Sequence, residues 1–549
     1  MPSPLHPLVV RAREALARGD FRSAETAAEE RLKTAGRDTN ALAVRCAAQQ
    51  RRGQFGEAAR TLQTVIGIDA RADWAHNDLI QLLHTHGRRE DAMQVARAAL
   101  SANPDNAQAN NHFGLLLSEA NDLPAGEWHF QRALQLAGPQ PAYLTNLALN
   151  LTRQRRFEEA DARFAQAHQL APQDAATLAH WSKLFEMTGD LGRAEELLNR
   201  AQTHSSAEDV SLQRAGLLAT SGQHEAALAV IDAAALSSGE ARLLRGRLHE
   251  QLGHYEEAWR DFVEGKRKLA TEGGGLQYKA DAVEALFGRL KQFFTRANMA
   301  LLPRAPTRAD TAQPVFILGL PRSGAAVIEQ FLSRHSAVRA GGELAFAGEL
   351  HKLAGHMFPG AAFPDNLAQS WTADNRYAAT LLRDCYLARA QACGLSDGGN
   401  RFFTDRSPFV EMYLPLLKMA FPQAKFVHLV RHPLDVCVSM MANAVPAGFN
   451  CGYRIEDIAH HLAAVSDLVE HYRRELDSSH FVLKFETLMS DPNGETARLL
   501  EFLGLPTRSE VRLELKDCPV GRHRHYLQPL KPYFARLEGA LAAHGYTAT

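Results

Sequence analysis

Pro314-Val-Phe-Ile-Leu-Gly319-Leu-Pro321-Arg322-Ser323-Gly324-Ala325-Ala326-Val-Ile-Glu329-Gln-Phe-Leu332 decides the fold of the second half of this 549-residue chain. The apolar, β-rich run from Val315 to Leu318 enters a tight Gly/Pro turn. The chain then leaves as an amphipathic helix that the pattern starts near Ser323. A strand–loop–helix of this kind aims successive backbone N–H groups at one point, with the positive helix end behind them. It is therefore an anion site, usually for phosphate.

Gly319 and Gly324 sit at the spacing of a nucleotide-binding P-loop, yet the Lys-[Ser/Thr] pair that should follow is Ala325-Ala326. The lysine and the magnesium-binding hydroxyl are both missing. The loop is expected to hold a phosphate without ATPase chemistry, and a kinase or other NTPase is disfavoured. The charge inside the loop comes from Arg322.

A second element of the same kind is Lys425-Phe-Val-His-Leu-Val430-Arg431-His432-Pro433, followed by Asp435 and Ser439. A buried strand (426–430) ends in Arg431, and Pro433 marks the first turn of the next helix. Arg431 at a strand's carboxyl end and Ser439 two helical turns later can converge on one anion. A guanidinium suits phosphate because its planar fork donates two parallel charge-assisted hydrogen bonds. Phe481 to Phe485 reads as a third strand entering a helix, and Gly521-Arg522-His523-Arg524-His525 is the densest basic cluster. Apolar runs alternating with helical patterns over 314–549 predict a three-layer α/β domain with a parallel sheet.

The first half is a repeat array. Gly19, Gly53, Gly87, Asn121, Arg155 and Gly189 recur every 34 residues; Gly222 and Gly253 follow at intervals of 33 and 31. Two residues after most of them stands a large side chain (Phe21, Phe55, Leu123, Phe157, Leu191, Tyr255). Five residues after stands an alanine (Ala24, Ala58, Ala92, Ala160, Ala194, Ala227, Ala258). Pro104 and Pro172 hold a stop position. Period, turn residue and crossing alanine together resemble the tetratricopeptide repeat (TPR), two antiparallel helices per unit. The resemblance implies about eight helix pairs over 1–270 in a right-handed superhelix, whose concave face holds a peptide or protein. A linker helix from Ala280 and an extended seam complete 271–313.

Charge is balanced, with 61 Lys+Arg against 62 Asp+Glu, so no nucleic-acid or membrane partner is expected from composition. No apolar run reaches a membrane span of ~18 residues. No secretory leader is visible. The six cysteines show no CxxC spacing, which argues against zinc and against a disulfide framework, so no metal is expected. A reducing, cytoplasmic setting is the expectation.

Two phosphate sites on one α/β domain without a metal motif suggest a nucleotide phosphorylated on two arms. At this point residues 314 to about 535 resemble a sulfotransferase using 3′-phosphoadenosine 5′-phosphosulfate (PAPS), with 3′,5′-diphosphoadenosine (PAP) as product. Pro321-Arg322-Ser323-Gly324 is similar to that family's 5′-phosphosulfate loop, and Arg431 with Ser439 matches its 3′-phosphate signature. Repeats followed by this domain are similar to bacterial TPR-sulfotransferases, akin to protein-tyrosine sulfotransferases. Thr404-Asp405-Arg406-Ser407-Pro408 stands where these relatives read Thr-Asp-Lys-x-Pro, and Arg522 lies in the remnant of their Gly-Arg-Trp motif.

The resemblance implies in-line sulfuryl transfer to a hydroxyl of a peptide, protein or other bulky acceptor held by the repeats. Glu343, in Gly341-Gly342-Glu343, aligns with the glutamate that serves as base in the tyrosylprotein-type relatives. Arg322 and Arg406 would neutralise developing charge. Arg322, Ser323, Gly324, Ala325, Ala326, Arg431, Ser439 and Arg522 would bind the donor. His335, His351, His356, His428 and His432 have no motif behind them. Terminal repeats often pair, leaving a homodimer open.

The chain departs from the pattern at Ala325-Ala326 (normally Thr-Thr), Arg406 (normally Lys) and His523 (normally Trp). Two lost hydroxyl donors weaken donor binding by about 1.5–3 kcal/mol each in an unchanged site. The alternative function is a non-catalytic TPR scaffold with a degenerate transferase domain.

Overall fold

The computed structural model describes residues 5–548 apart from 121, 205–207, 274, 309, 345, 373–374, 376, 397–398, 446–447, 477–478 and 507–518. Contacts divide the chain into two units. One comprises residues 1–236 with 271–275, the other 237–270 with 276–549.

Among the described residues, the first unit holds fourteen helices, from Pro7–Ala17 to His224–Ala233, in antiparallel pairs. The repeat signals have a physical cause. Gly19, Gly53, Gly87, Gly189 and Gly222 all take positive φ, as the tight turn inside each pair requires, and so does Arg155 at 62°. Asn121 lies outside the described residues. The crossing alanines Ala24, Ala58, Ala92, Ala160, Ala194 and Ala227 are fully buried. In the fourth pair the same position is Gly126, where an added Cβ would meet Ser118 Oγ at 2.5 Å. Helices there approach too closely even for alanine. Polar side chains tie successive pairs together: Asn146 donates to Asn111 (3.0 Å) and Asn150 to Ser118 Oγ (2.7 Å).

The second unit is built on a parallel sheet of β1 (Gln313–Leu318), β2 (Val338–Arg339), β3 (Phe402–Asp405), β4 (Lys425–Val430) and β5 (Ser479–Lys484). The strand order is β2-β3-β1-β4-β5. Alternate residues of β1 enter opposite cores. Val315 and Ile317 pack with Ile328, Phe331 and Leu499, whereas Phe316 and Leu318 pack with Phe403, Leu417 and Phe426. The sheet is therefore covered on both faces, as its apolar runs predict. The helix after β1 begins at Ala325, not Ser323, because Gly324 adopts the left-handed conformation (φ 109°) as its N-cap.

The helix pair Gly239–Gln251 and Tyr255–Glu272, which continues the repeat pattern in sequence, shares a core with the sheet domain. Leu243, Ala258 and Phe262 are buried with Leu434, Val438, Tyr526 and Leu537. No helix among the described residues is long and apolar enough to cross a membrane.

Candidate active site

In a parallel sheet of this order, connections leave β1 and β4 in opposite directions, and the crevice beyond their carboxyl ends is the expected ligand site. A cavity of about 1170 Å³ opens there. Its walls include Gly319, Arg322, Gly324, Ala325 and Ala326 from the first loop, Glu343, Arg406, Arg431, Ser439 and Arg522.

The loop after β1 is held in an unusual shape. Arg322 has positive φ (73°), which disfavours a residue bearing a Cβ, so the surrounding structure must impose it. Gly319 donates its N–H to the buried Glu411 carboxylate (3.0 Å). An added Cβ at Gly324 would lie 2.7 Å from the Phe485 ring, so only glycine fits there. Helix geometry leaves the amides of Ala325 and Ala326, the first two of Ala325–Ser333, without intrahelical acceptors, and both residues line the cavity. Ser323 is placed differently from the expectation. Its N–H is donated to Leu320 O, and its buried hydroxyl, which has no partner among the described residues, lines a smaller cavity beneath the loop with Glu411 and His428. Its side chain is not part of the main cavity wall.

On the opposite side, Arg431 is clamped where β4 ends. It donates to Arg322 O (2.9 Å) and to Pro519 O (2.6 Å), and its guanidinium lies 4.9 Å from the centre of the Phe485 ring. Asp435, in the first turn of the helix Pro433–Met441, is fully buried and accepts from Gly521 N (2.7 Å), His523 N (2.8 Å) and His523 Nδ1 (2.7 Å). Burial alone would raise the Asp435 carboxyl, but the bonds from His523 and Gly521 outweigh it and hold it below its ordinary value. His523 thus pins the 519–523 turn beside Arg431, and its ring stacks on His432 at 3.9 Å. Ser439 lines the cavity two turns along the same helix.

The third cluster lies at the ends of β2 and β3. Glu343 accepts from Arg406 Nη1 (2.6 Å), and Arg406 Nε donates to Glu329 (2.6 Å). Glu329 also accepts from Thr404 Oγ1 (2.6 Å) and Gly342 N (2.8 Å). Burial would lower the Arg406 pKa, but the carboxylates of Glu329 and Glu343 raise it above its ordinary value. Gly341 has no room for a side chain, since a Cβ there would meet Thr404 O at 2.1 Å. Asp405 faces away from this cluster, accepting from Ser407 and from Tyr386 OH (2.6 Å). Complete burial holds its carboxyl above the ordinary range, despite those bonds.

Arg522 forms a two-bonded ion pair with Glu250, which also accepts from Tyr526 OH (3.0 Å). Arg247, Gln251 and Tyr255 stand beside Glu250 in the cavity wall. None of the five histidines flagged in the sequence lines the main cavity. His428, half-buried in β4, is driven down to about 3 by desolvation and by the neighbouring His544 and His480, so it stays neutral.

Sequence reasoning missed Glu329 and the wall contributed by helix Gly239–Gln251. Glu329 follows the inward-facing Ile328 on a short helix, a faint signal that its carboxylate is not simply solvated. The last repeat interval, shortened to 31 residues, is the corresponding signal for the second.

Comparisons with known proteins agree in part with this geometry. The family model described as Sulfotransferase family matches residues 314–509. A tetratricopeptide repeat model matches 50–111. A protein of Aquifex aeolicus described as uncharacterized is 29% identical over 206 residues, which is 36% of this chain and 26% of that protein. The matched segment thus spans about a quarter of the length of that curated relative. Among solved structures, a tetratricopeptide repeat protein from Parabacteroides merdae aligns at 17% identity and TM-score 0.35, over 48% of this chain and 91% of its own. A thermophilic TPR protein of Thermus thermophilus aligns at 22% identity and TM-score 0.28, over 32% and 97%.

Proposed function

We propose that this chain, in which a sulfotransferase-family domain follows a run of tetratricopeptide repeats, moves a sulfuryl group from PAPS to an acceptor hydroxyl. The observation that carries the reading is convergence. The anion loop after β1, Arg431 and Ser439 after β4, and a carboxylate after β2 all face one cavity at the carboxyl end of a parallel sheet. Its volume accommodates a nucleotide and part of an acceptor together.

The residues present suit such a donor. Arg431 and Ser439 supply a guanidinium and a hydroxyl for one phosphate. Arg322 and the amides of Ala325 and Ala326 supply charge and N–H donors for the other anionic arm. Transfer forms a bond from the acceptor oxygen to sulfur and breaks the bond from sulfur to the bridging phosphate oxygen. The acceptor proton passes to Glu343, and the leaving diphosphate keeps the electron pair. Arg406 holds Glu343 in place; an arginine cannot serve as the acid near neutral pH. The repeats would present a peptide or protein acceptor, in a reducing cytoplasmic setting.

Calorimetry with 3′,5′-diphosphoadenosine and a transfer assay with labelled PAPS test this together. Glu343→Ala is expected to abolish transfer while product binding persists. Full transfer by that variant removes Glu343 from the base role. Absence of nucleotide binding at high concentration favours the scaffold alternative.

A further inference from the structure

The cavity carries more positive charge than its own residues neutralise, and the excess is concentrated at one place. Helix Gly239–Gln251 sets Arg247, Glu250 and Gln251 on its cavity face, at i, i+3 and i+4, while Leu243 and Leu244, one turn earlier, and Leu248 are buried. Past the end of helix Pro433–Met441, three consecutive carbonyls each accept from a cation. Arg247 donates to Ala442 O (2.9 Å), Lys266 to Asn443 O (2.6 Å) and Arg322 to Ala444 O (3.3 Å). Carbonyls at a helix C-terminus attract cations, but one suffices to cap such an end.

The carboxylates within reach are already engaged, Glu250 with Arg522 and Glu343 with Arg406. Among the described residues neither Arg247 nor Arg322 forms an ion pair, and each uses one of its five N–H groups on a carbonyl. Burial, then the fields of Arg322 and Arg522, bring Arg247 down to about 10. Arg322 is lowered by burial and by Arg522. Gathering unneutralised guanidinium groups around a cavity is unfavourable until an anion enters.

We infer that Arg247 and Arg322, bridged by the 442–444 carbonyls, form an oxyanion subsite that takes a sulfonate, phosphate or carboxylate group. Arg247 comes from a helix that the sequence groups with the repeats, so a repeat-type element supplies a binding residue to the transferase cavity. Assigning the anion to donor or acceptor rests on the transferase reading; the subsite itself rests on the geometry.

The test has two parts. Crystals of the full chain soaked in selenate should show anomalous density within hydrogen-bonding reach of both guanidinium groups. Arg247→Gln should remove it, and Arg247→Lys, which keeps the charge and can keep the carbonyl bond, should retain it weakly. Calorimetry then identifies the source. Loss of about tenfold in PAPS affinity with 3′,5′-diphosphoadenosine unchanged assigns the subsite to the donor sulfonate. Equal losses assign it to the donor phosphate. Unchanged nucleotide binding, with selenate affinity lost in the product-saturated protein, assigns it to an acidic acceptor. Selenate absent from this place, or bound as an adventitious ion only and indifferent to Arg247→Gln, overturns the proposal. Selenate bound there in a protein that takes no nucleotide overturns the donor reading and leaves the subsite standing.

Discussion

Glu329→Gln tests the logic of the site more directly than any change at the cavity surface. The glutamate serves three partners at once. Its Oε1 accepts from Gly342 N and Thr404 Oγ1, and its Oε2 accepts from Arg406 Nε. Glutamine can keep the first two through its carbonyl oxygen, but it then turns an NH2 donor toward the Arg406 N–H. Breaking a fully buried ion pair from one side costs about 3–5 kcal/mol. Arg406 retains Glu343, and its side chain is 25% exposed, so solvent and the second carboxylate reduce the figure. We expect about 2–3 kcal/mol, or a fall of roughly 4–8 °C in the melting of the second unit. Removing Arg406 as well eliminates the opposed donor, and the cycle through Arg406→Gln should show a coupling of about 2 kcal/mol. Glu329→Gln keeps the Gly342 contact but leaves Arg406 held by Glu343 alone, so the guanidinium that positions Glu343 loses its second anchor. Turnover should therefore drop about tenfold or more, while affinity for 3′,5′-diphosphoadenosine, set by Arg431, Ser439 and the first loop, stays within about threefold. Strict additivity in the cycle would refute the clamp, and nucleotide affinity falling in step with turnover would refute a positioning role.

The double variant Ala325→Thr/Ala326→Thr should strengthen 3′,5′-diphosphoadenosine binding by about a hundredfold or more in calorimetry, since each hydroxyl adds a donor at the helix N-terminus; unchanged or weaker binding would place the phosphate elsewhere. Lys266 is buried, and burial followed by the field of Arg322 brings its pKa from the ordinary 10.5 down to about 7. Between those two values the unfolded chain binds a proton that the folded one does not, so wild-type stability rises with pH across that window and the full penalty applies below about pH 7. Lys266→Met should accordingly stabilise by roughly 3 kcal/mol at pH 6, after the lost bond to Asn443 O is counted, and by little near pH 10; an equal gain at both pH values in denaturant titrations would contradict the assignment.

The sequence revealed elements wherever one residue type was demanded by backbone geometry. The repeats were legible because turn glycines at positive φ and crossing alanines without room for more recur at a fixed period, and Arg155 was identifiable by its phase alone. β1 and β4 were legible because a strand buried on both faces is a continuous apolar run closed by Gly or Arg-His-Pro. By contrast, β2 has two residues and β3 four, ending in Thr404-Asp405, and neither is long enough to show a period.

Site residues divide on the same principle. Arg322, Gly324, Arg431 and Glu343 stand within six residues of a strand's carboxyl end and Ser439 within nine, and the sheet brings those ends together whatever the intervening chain does. Glu329 and Arg247 sit on helices, where a charged residue between apolar ones looks the same whether it faces water or a neighbouring loop. What marks them is the partner: Arg406, 77 residues away in the chain, for one, and Ala442 O, 195 residues away, for the other. Ser323 shows the converse. Its motif is legible, yet its hydroxyl is buried against Gly319, in the wall of the smaller cavity that Glu411 and His428 also line. A motif thus fixes which backbone groups face an anion, whereas its side chains depend on how the loop is supported from below. That support, through Glu411 on Gly319 and Phe485 against Gly324, lies 92 and 161 residues further along the chain.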